Sequence, residues 1–102
     1  MSLNDIFKAL SDPTRRKILR LLKDGDLSAG EIAERFHLAK STLSAHFNVL
    51  RHAGLIVPER RRTSIVYSLN LSAAEELLGA VLALSEKDAH PKAVKKLVRR
   101  KP

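Results

Sequence analysis

Between Ser28 and Ala53 the chain carries two helical apolar patterns separated by only three residues, His37-Leu38-Ala39, and this pairing constrains the fold more than any other feature. The first pattern, over about 28–36, opens with Ser28 and Glu31 at capping-box spacing and places Ile32, Ala33 and Phe36 on one face. The second, over about 40–53, repeats Leu43, Phe47 and Leu50 at i, i+4 and i+7 and stops at Ala53-Gly54, with Gly54 as a left-handed C-cap. Two helices so joined make a helix-turn-helix.

The flanks complete the architecture. Leu3, Ile6, Phe7 and Leu10 recur at helical spacing up to Ser11-Asp12-Pro13, which predicts a short first helix. Pro13 suits the start of a second helix over about 13–23, capped by Ser11 or Asp12 and buried through Ile18, Leu19, Leu21 and Leu22. Beyond Gly54, the β-prone runs Leu55-Ile56-Val57 and Ser64-Ile65-Val66-Tyr67-Ser68-Leu69 are linked by the charged connection Pro58-Glu59-Arg60-Arg61-Arg62-Thr63, a hairpin with a basic tip. Ser72 and Glu75 form a second capping-box pair, opening a last helix to about Lys87. The expected fold class is therefore mainly α, a winged helix-turn-helix whose wing is a two-stranded β-hairpin over 56–69.

A chain of 102 residues is sized for one domain, and with 44% apolar residues it is too hydrophobic for a disordered polyelectrolyte. Its net charge of +8 is unevenly placed. Residues 1–86 carry 12 basic and 10 acidic side chains, whereas residues 87–102 carry seven basic ones and only Asp88. The expected division is a domain over 1–87 and a basic C-terminal tail over 88–102, so overall basicity alone says little about the folded part. As a helix from Pro91 the tail would align Val94, Leu97 and Val98; as an arm it would add phosphate contacts that read no sequence. The arm or a loosely docked helix is expected, because three apolar residues bury too little to hold an isolated helix. No segment has the apolar length of a membrane span, and the acidic start MSLNDIFKALSD does not suit a signal peptide, so cytoplasmic residence without membrane insertion is expected.

The outward face of the 40–53 helix is where chemistry concentrates. At 100° per residue, Ser41, Ala45, Asn48 and His52 lie opposite the apolar stripe, with Lys40, Thr42 and Ser44 on the flanks. Small hydroxyl side chains let a helix approach base edges closely, and a helix N-terminus favours phosphate, so double-stranded DNA is the expected partner. A plain capping region accounts for Ser41, Thr42 and Ser44 less well, given the hairpin that follows. Arg60, Arg61 and Arg62 suit a phosphate-tracking wing better than mere solubilisation. His46 falls between the buried and outward faces, where packing competes with a DNA contact. Arg15, Arg16 and Lys17 read as a mixture of solvated and ion-paired residues.

Other function classes lack their residues. No nucleophile with a base, acid/base pair or phosphate-binding glycine loop is present, the glycines being scattered at 25, 30, 54 and 79. Single-strand RNA platforms need exposed aromatics, yet Phe7, Phe36 and Phe47 occupy helical apolar faces. Leu3, Ile6, Phe7 and Leu10 with Leu77, Leu78, Val81, Leu82 and Leu84 offer more apolar surface than one small core covers, which predicts a homodimer formed by the first and last helices. An alternative keeps the fold but uses it to bind a membrane sensor or another regulatory protein.

The stretch Phe7-Lys8-Ala9-Leu10-Ser11-Asp12-Pro13-Thr14-Arg15-Arg16-Lys17-Ile18-Leu19, with Gly30-Glu31-Ile32-Ala33, Ser41-Thr42-Leu43-Ser44-Ala45-His46-Phe47-Asn48-Val49-Leu50 and Ala53-Gly54-Leu55-Ile56, resembles the ArsR-type winged-helix repressors. Within that family the chain is most similar to a metal-free branch. The resemblance implies a homodimer that binds an inverted repeat and blocks transcription, relieved in many members by an inducer. It also implies where this chain departs. Metal-sensing relatives carry Cys where this chain has Ser28 and Gly30, and the last helix has Glu75, Glu76 and Glu86 with no His before His90, so no metal or other cofactor is expected. Ala39 stands where a capping hydroxyl is usual, a loss of about 1 kcal/mol unless something compensates. Ala45 replaces a long polar residue, leaving one base contact missing or exchanged for a thymine methyl.

Overall fold

A computed structural model of the protein describes residues 2–88. Its elements run α1 (Leu3–Leu10), α2 (Pro13–Leu22), β1 (Leu27–Ser28), α3 (Ala29–Ala33), α4 (Lys40–His52), β2 (Ile56–Arg61), β3 (Ser64–Leu69) and α5 (Leu71–Asp88). The mainly helical fold with a hairpin wing is the one expected from the sequence.

Short polar side chains start most of the helices. Ser2 Oγ accepts from the Asp5 amide at 3.1 Å, and Asp12, rather than Ser11, caps α2 by accepting from the Arg15 amide at 3.0 Å with Pro13 behind it at the first helical position. Ser28 and Glu31 form the reciprocal capping box, at 3.0 and 2.8 Å. Ala39 begins α4 with extended backbone and no side-chain cap, as the sequence implies.

Several expectations are corrected. Helix α3 stops at Ala33 rather than 36, because the amides of Arg35 and Phe36 turn back to the carbonyls three residues earlier, tightening the chain out of α geometry. The connection between α3 and α4 is therefore six residues long, and Phe36 lies off the helix, beneath Lys17 Nζ at 4.8 Å from its ring centroid. The last helix starts at Leu71, so Ser72 lies inside it and makes no box with Glu75; Asn70 Oδ1 instead accepts from the Ser72 amide at 3.1 Å. Strand β1, only two residues long, is too short for an alternation pattern to reveal it. The charged connection is itself mostly strand: β2 pairs with β3 as far as Arg61↔Ser64, leaving Arg62-Thr63 as the turn. Arg62 adopts φ 57°, the positive sign that two-residue hairpin turns require at their first central position.

The sheet order is β1-β3-β2, all antiparallel, so β3 is central and Pro58 sits on an edge strand where its missing N–H is tolerated. One core gathers Ile6 and Ala9 of α1, Ile18 and Leu22 of α2, Ile32 of α3, Leu43, Phe47 and Leu50 of α4, then Leu55, Ile56, Tyr67 and Ala73. Helix α5 meets it through its first two turns, where Ala73 is buried and Leu77 half-buried. Of the basic segment expected over 88–102, all but Asp88 lies outside the described residues, and so does the alternative of a helix from Pro91.

Candidate nucleic-acid interface

Helix α4 divides its residues sharply between core and solvent. Leu43, Phe47 and Leu50 are buried, while Lys40, Ser41, Thr42, Ser44, Ala45, Asn48 and His52 are exposed. Between Ser41 and Ala45 the exposed side chains are only hydroxyl-bearing or methyl, Leu43 being buried, so the helix backbone lies close to the surface over this turn. The uncapped start of α4 leaves its first amides unpaired by side chains, with partial positive charge facing outward.

The wing joins α4 through the core. Phe47 stacks on Tyr67 of β3, with ring centroids 4.7 Å apart and planes tilted by 32°. Burial pushes the Tyr67 hydroxyl above its ordinary pKa, against the smaller opposing influence of Arg51. At the far end, Arg60, Arg61 and Arg62 are all exposed. They are not equivalent. Arg61 reaches back to Glu59 Oε1 through Nη2 at 3.0 Å and Nε at 3.3 Å, because residues two apart on a strand share one face. Arg60 projects to the opposite face, and Arg62 occupies the turn.

His46 is the member of the expected DNA-contacting set that turns inward. Its side chain is 17% exposed, and Nδ1 lies 3.2 Å from Arg15 Nη1 and 3.9 Å from Asp12 Oδ2. A guanidinium only donates, so this contact is a hydrogen bond when Nδ1 is the unprotonated ring nitrogen and the ring proton sits on Nε2. The same guanidinium donates from Nε to the Ala9 carbonyl at 2.8 Å and from Nη2 to the Lys8 carbonyl at 3.0 Å. Arg16 follows the same logic, donating from Nη1 to the Leu10 carbonyl at 2.8 Å. These two arginines are thus bound to carbonyls at the C-terminal end of α1, where a cation is favoured, rather than ion-paired. The Asp12 carboxyl is held below its ordinary pKa, chiefly by the Arg15 amide, against desolvation and with help from nearby His46 and Arg15.

Asn70 is a site-shaping residue that sequence reasoning missed. Besides receiving the Ser72 amide, it donates from Nδ2 to the Gly54 carbonyl at 2.8 Å, and its own amide donates to the Leu55 carbonyl at 3.0 Å. The visible signal was an Asn directly before the last apolar run, a capping type passed over in favour of Ser72.

The apolar residues expected at a dimer contact separate by exposure into three groups. Leu3, Phe7, Leu78, Val81, Leu82 and Leu84 are exposed, Leu78 at 60%. Leu10 and Leu77 are half-buried, and Ile6, at 2% exposed, is withdrawn from that set because it fills the protomer's own core. Among the described residues, no three His, Cys, Asp or Glu side chains are grouped as metal ligands, and no helix is long and apolar enough to cross a membrane.

Comparison with known proteins agrees with the fold. The family profile described as "Bacterial regulatory protein, arsR family" matches residues 12–57. The transcriptional repressor SdpR of Bacillus subtilis is 48% identical over 80 residues, covering 78% of this chain and 89% of SdpR. The HTH-type transcriptional regulator NmtR of Mycobacterium tuberculosis is 37% identical over 92 residues, covering 84% and 77% respectively. Among solved structures, an ArsR-like transcriptional regulator from Rhodococcus sp. RHA1 superposes with a TM-score of 0.78 at 27% identity, covering 98% of this chain and 93% of that one.

Proposed function

The chain belongs to the ArsR family of bacterial transcription regulators, which are DNA-binding proteins and not enzymes, and from that premise we propose that it is a dimeric repressor of an inverted-repeat operator. Helix α4 enters the major groove and reads base edges with Ser41, Thr42, Ser44 and Asn48, Ala45 meeting a thymine methyl and Lys40 a phosphate. The wing places Arg60 and Arg62 on the adjoining backbone, and the basic residues after Glu86 add attraction that does not depend on sequence. Leu3, Phe7, Leu78, Val81 and Leu82, with Leu10 and Leu77 at the margin, form the contact between copies.

The observation that carries this reading is the division of α4, which buries Leu43, Phe47 and Leu50 and half-buries Val49 while its exposed N-terminal half is small and polar. A face built to dock a protein would be expected to keep large apolar anchors outward. Repression rather than activation is supported by the SdpR relative, itself a named repressor. The protein acts where the DNA is, in the cytoplasm, and an inducer or protein partner would act by changing the spacing of the two α4 helices.

Selecting bound fragments from genomic DNA, then footprinting them, tests the proposal. The expected result is a site retained against excess nonspecific DNA, with dyad symmetry and half-sites about one helical turn, or a small multiple, apart. Loss of binding under competitor, or a footprint without a dyad, overturns it, and a monomer by light scattering at micromolar concentration overturns its dimeric part.

A further inference from the structure

Arg15 occupies a position where a cation is electrostatically misplaced for its own helix. It is the third residue of α2, in the first turn, where a helix carries partial positive charge. Its side chain instead runs back to α1, ending on the Ala9 and Lys8 carbonyls at 2.8 and 3.0 Å, the negative end of that helix. Two of its three side-chain nitrogens are then committed, and the third, Nη1, points at His46 Nδ1 at 3.2 Å. One planar group therefore ties the end of α1 and the start of α2 to the middle of α4.

His46 sits one turn after Thr42 on α4, at the border between the buried stripe and the exposed row. The helix has no side-chain cap at Ala39 to fix its N-terminal end. Beyond the apolar packing of Leu43, Phe47 and Leu50, which is weakly directional, and the Asn70 bond to the Gly54 carbonyl just past its C-terminal end, the contact at His46 is the directional side-chain tie on the body of α4 among the described residues. We propose that Arg15 is a positioning residue for operator recognition: its guanidinium fixes the rotation of α4 by holding His46 Nδ1, and links that rotation to α1. This rests on the operator-binding reading given above.

The geometry demands a fork. Lysine has one ammonium, whose reach to two carbonyls of α1 and to an imidazole of α4 at once is not achievable with the same spacing. At His46 only an acceptor at the Nδ1 position is needed, and an Asn amide oxygen lies close to that position whereas a Leu side chain offers none.

The test uses the full chain, with Arg15→Lys, His46→Leu, His46→Asn and the double variant Arg15→Lys/His46→Leu, measured on the footprinted operator and on random duplex of equal length. Arg15→Lys and His46→Leu are each expected to lose about tenfold or more in operator affinity, because a hydrogen bond to a charged group is removed, while affinity for random DNA changes less than about twofold. His46→Asn is expected to restore most of the loss, and the double variant to match the singles. Nitrogen-15 correlation spectra of the DNA-free protein read the contact directly: a single His46 tautomer protonated at Nε2 in the wild type, and a tautomer mixture in Arg15→Lys. Operator affinity within about twofold of wild type in both single variants overturns the proposal, as does an equal fall on random DNA or an unchanged tautomer in Arg15→Lys. If Arg15→Lys does not fold, the His46→Leu and His46→Asn pair decides alone. A wild-type protein that retains no operator would instead refute operator binding, and the tautomer would still judge the contact.

Discussion

Phe47 and Tyr67 stack 4.7 Å apart across the junction of α4 and β3, so the helix facing solvent with its polar row and the central strand of the wing share one buried aromatic pair. Phe47 is 5% and Tyr67 8% exposed, which places both rings in the core rather than at its edge. Phe47→Ala is expected to cost about 3–5 kcal/mol of stability by leaving a cavity under the strand. Tyr67→Phe, which keeps the ring, is expected to unfold close to the wild-type midpoint. Urea denaturation of the two variants distinguishes a packing role for this pair from a role for the Tyr67 hydroxyl.

The exposed row of α4 and the wing are expected to fail differently. Ser41→Ala or Thr42→Ala should weaken operator binding by about 1–3 kcal/mol while sparing random DNA, since base-edge contacts carry discrimination. Arg60→Ala with Arg62→Ala should lower both affinities alike and flatten the dependence of binding on salt. Arg61→Ala should do less than either, because Glu59 already neutralises that guanidinium. Salt titrations with both DNAs check all three, and identical behaviour of the two sets would abolish the division of roles.

The missing cap at Ala39 is open to repair. Its backbone already has the extended N-cap conformation, φ −64° and ψ 149°, so a hydroxyl there needs no rearrangement. Ala39→Ser is expected to stabilise the protein by about 1 kcal/mol, read as a raised Tm. Ala39→Asp should stabilise comparably yet weaken DNA binding, because its charge faces the phosphates that the helix start would otherwise attract. Equal DNA affinity of the Ser and Asp variants would argue against a phosphate at this end.

Asp12 gives stability a defined acid dependence. Its folded-state pKa lies below the ordinary 3.8, so its ionised form favours the folded protein. That contribution is complete above the unfolded value and is lost as pH falls through the depressed folded value. Asp12→Asn keeps a competent cap but not the charge, so wild type should be the more stable of the two at neutral pH. The gap should begin to narrow as pH falls past 3.8, where the unfolded carboxyl protonates, and close only below the depressed folded value. A gap of constant size across that range would show that charge at Asp12 contributes nothing.

Much of the fold was legible because its signals are local. Pro13 after Asp12, the Ser28–Glu31 box and the Leu43/Phe47/Leu50 stripe each declare an element within one or two turns of helix, and each is found in place. The exposed row of α4 follows from the same periodicity. What escaped depends on distant partners. The early end of α3 is set by backbone bonds that tighten after Ala33, and β1 exists only because Leu27 and Ser28 lie beside Tyr67 and Val66. His46 stood on the border of two faces, and periodicity alone had no means of knowing that Arg15, 31 residues earlier, would be waiting there. The pairing of Arg61 with Glu59 was hidden for another reason, since the segment was read as a loop, where residues two apart have no fixed relation.

Asn70 makes the end of α4 and the beginning of α5 a single mechanical joint. One side chain grips the Gly54 carbonyl with its amide nitrogen and the Ser72 amide with its oxygen, while its backbone is fastened to Leu55. Helix α5 is the longest element, and beyond its first two turns it projects from the body with Leu78, Val81, Leu82 and Leu84 uncovered. It is therefore a lever whose short arm is pinned at Asn70. A tilt imposed on its far end has no compliant loop in which to dissipate, because the residues between the hinge and α4 are themselves hydrogen-bonded. The start of α5 and the trailing end of α4 are thus joined through one side chain rather than through a loop.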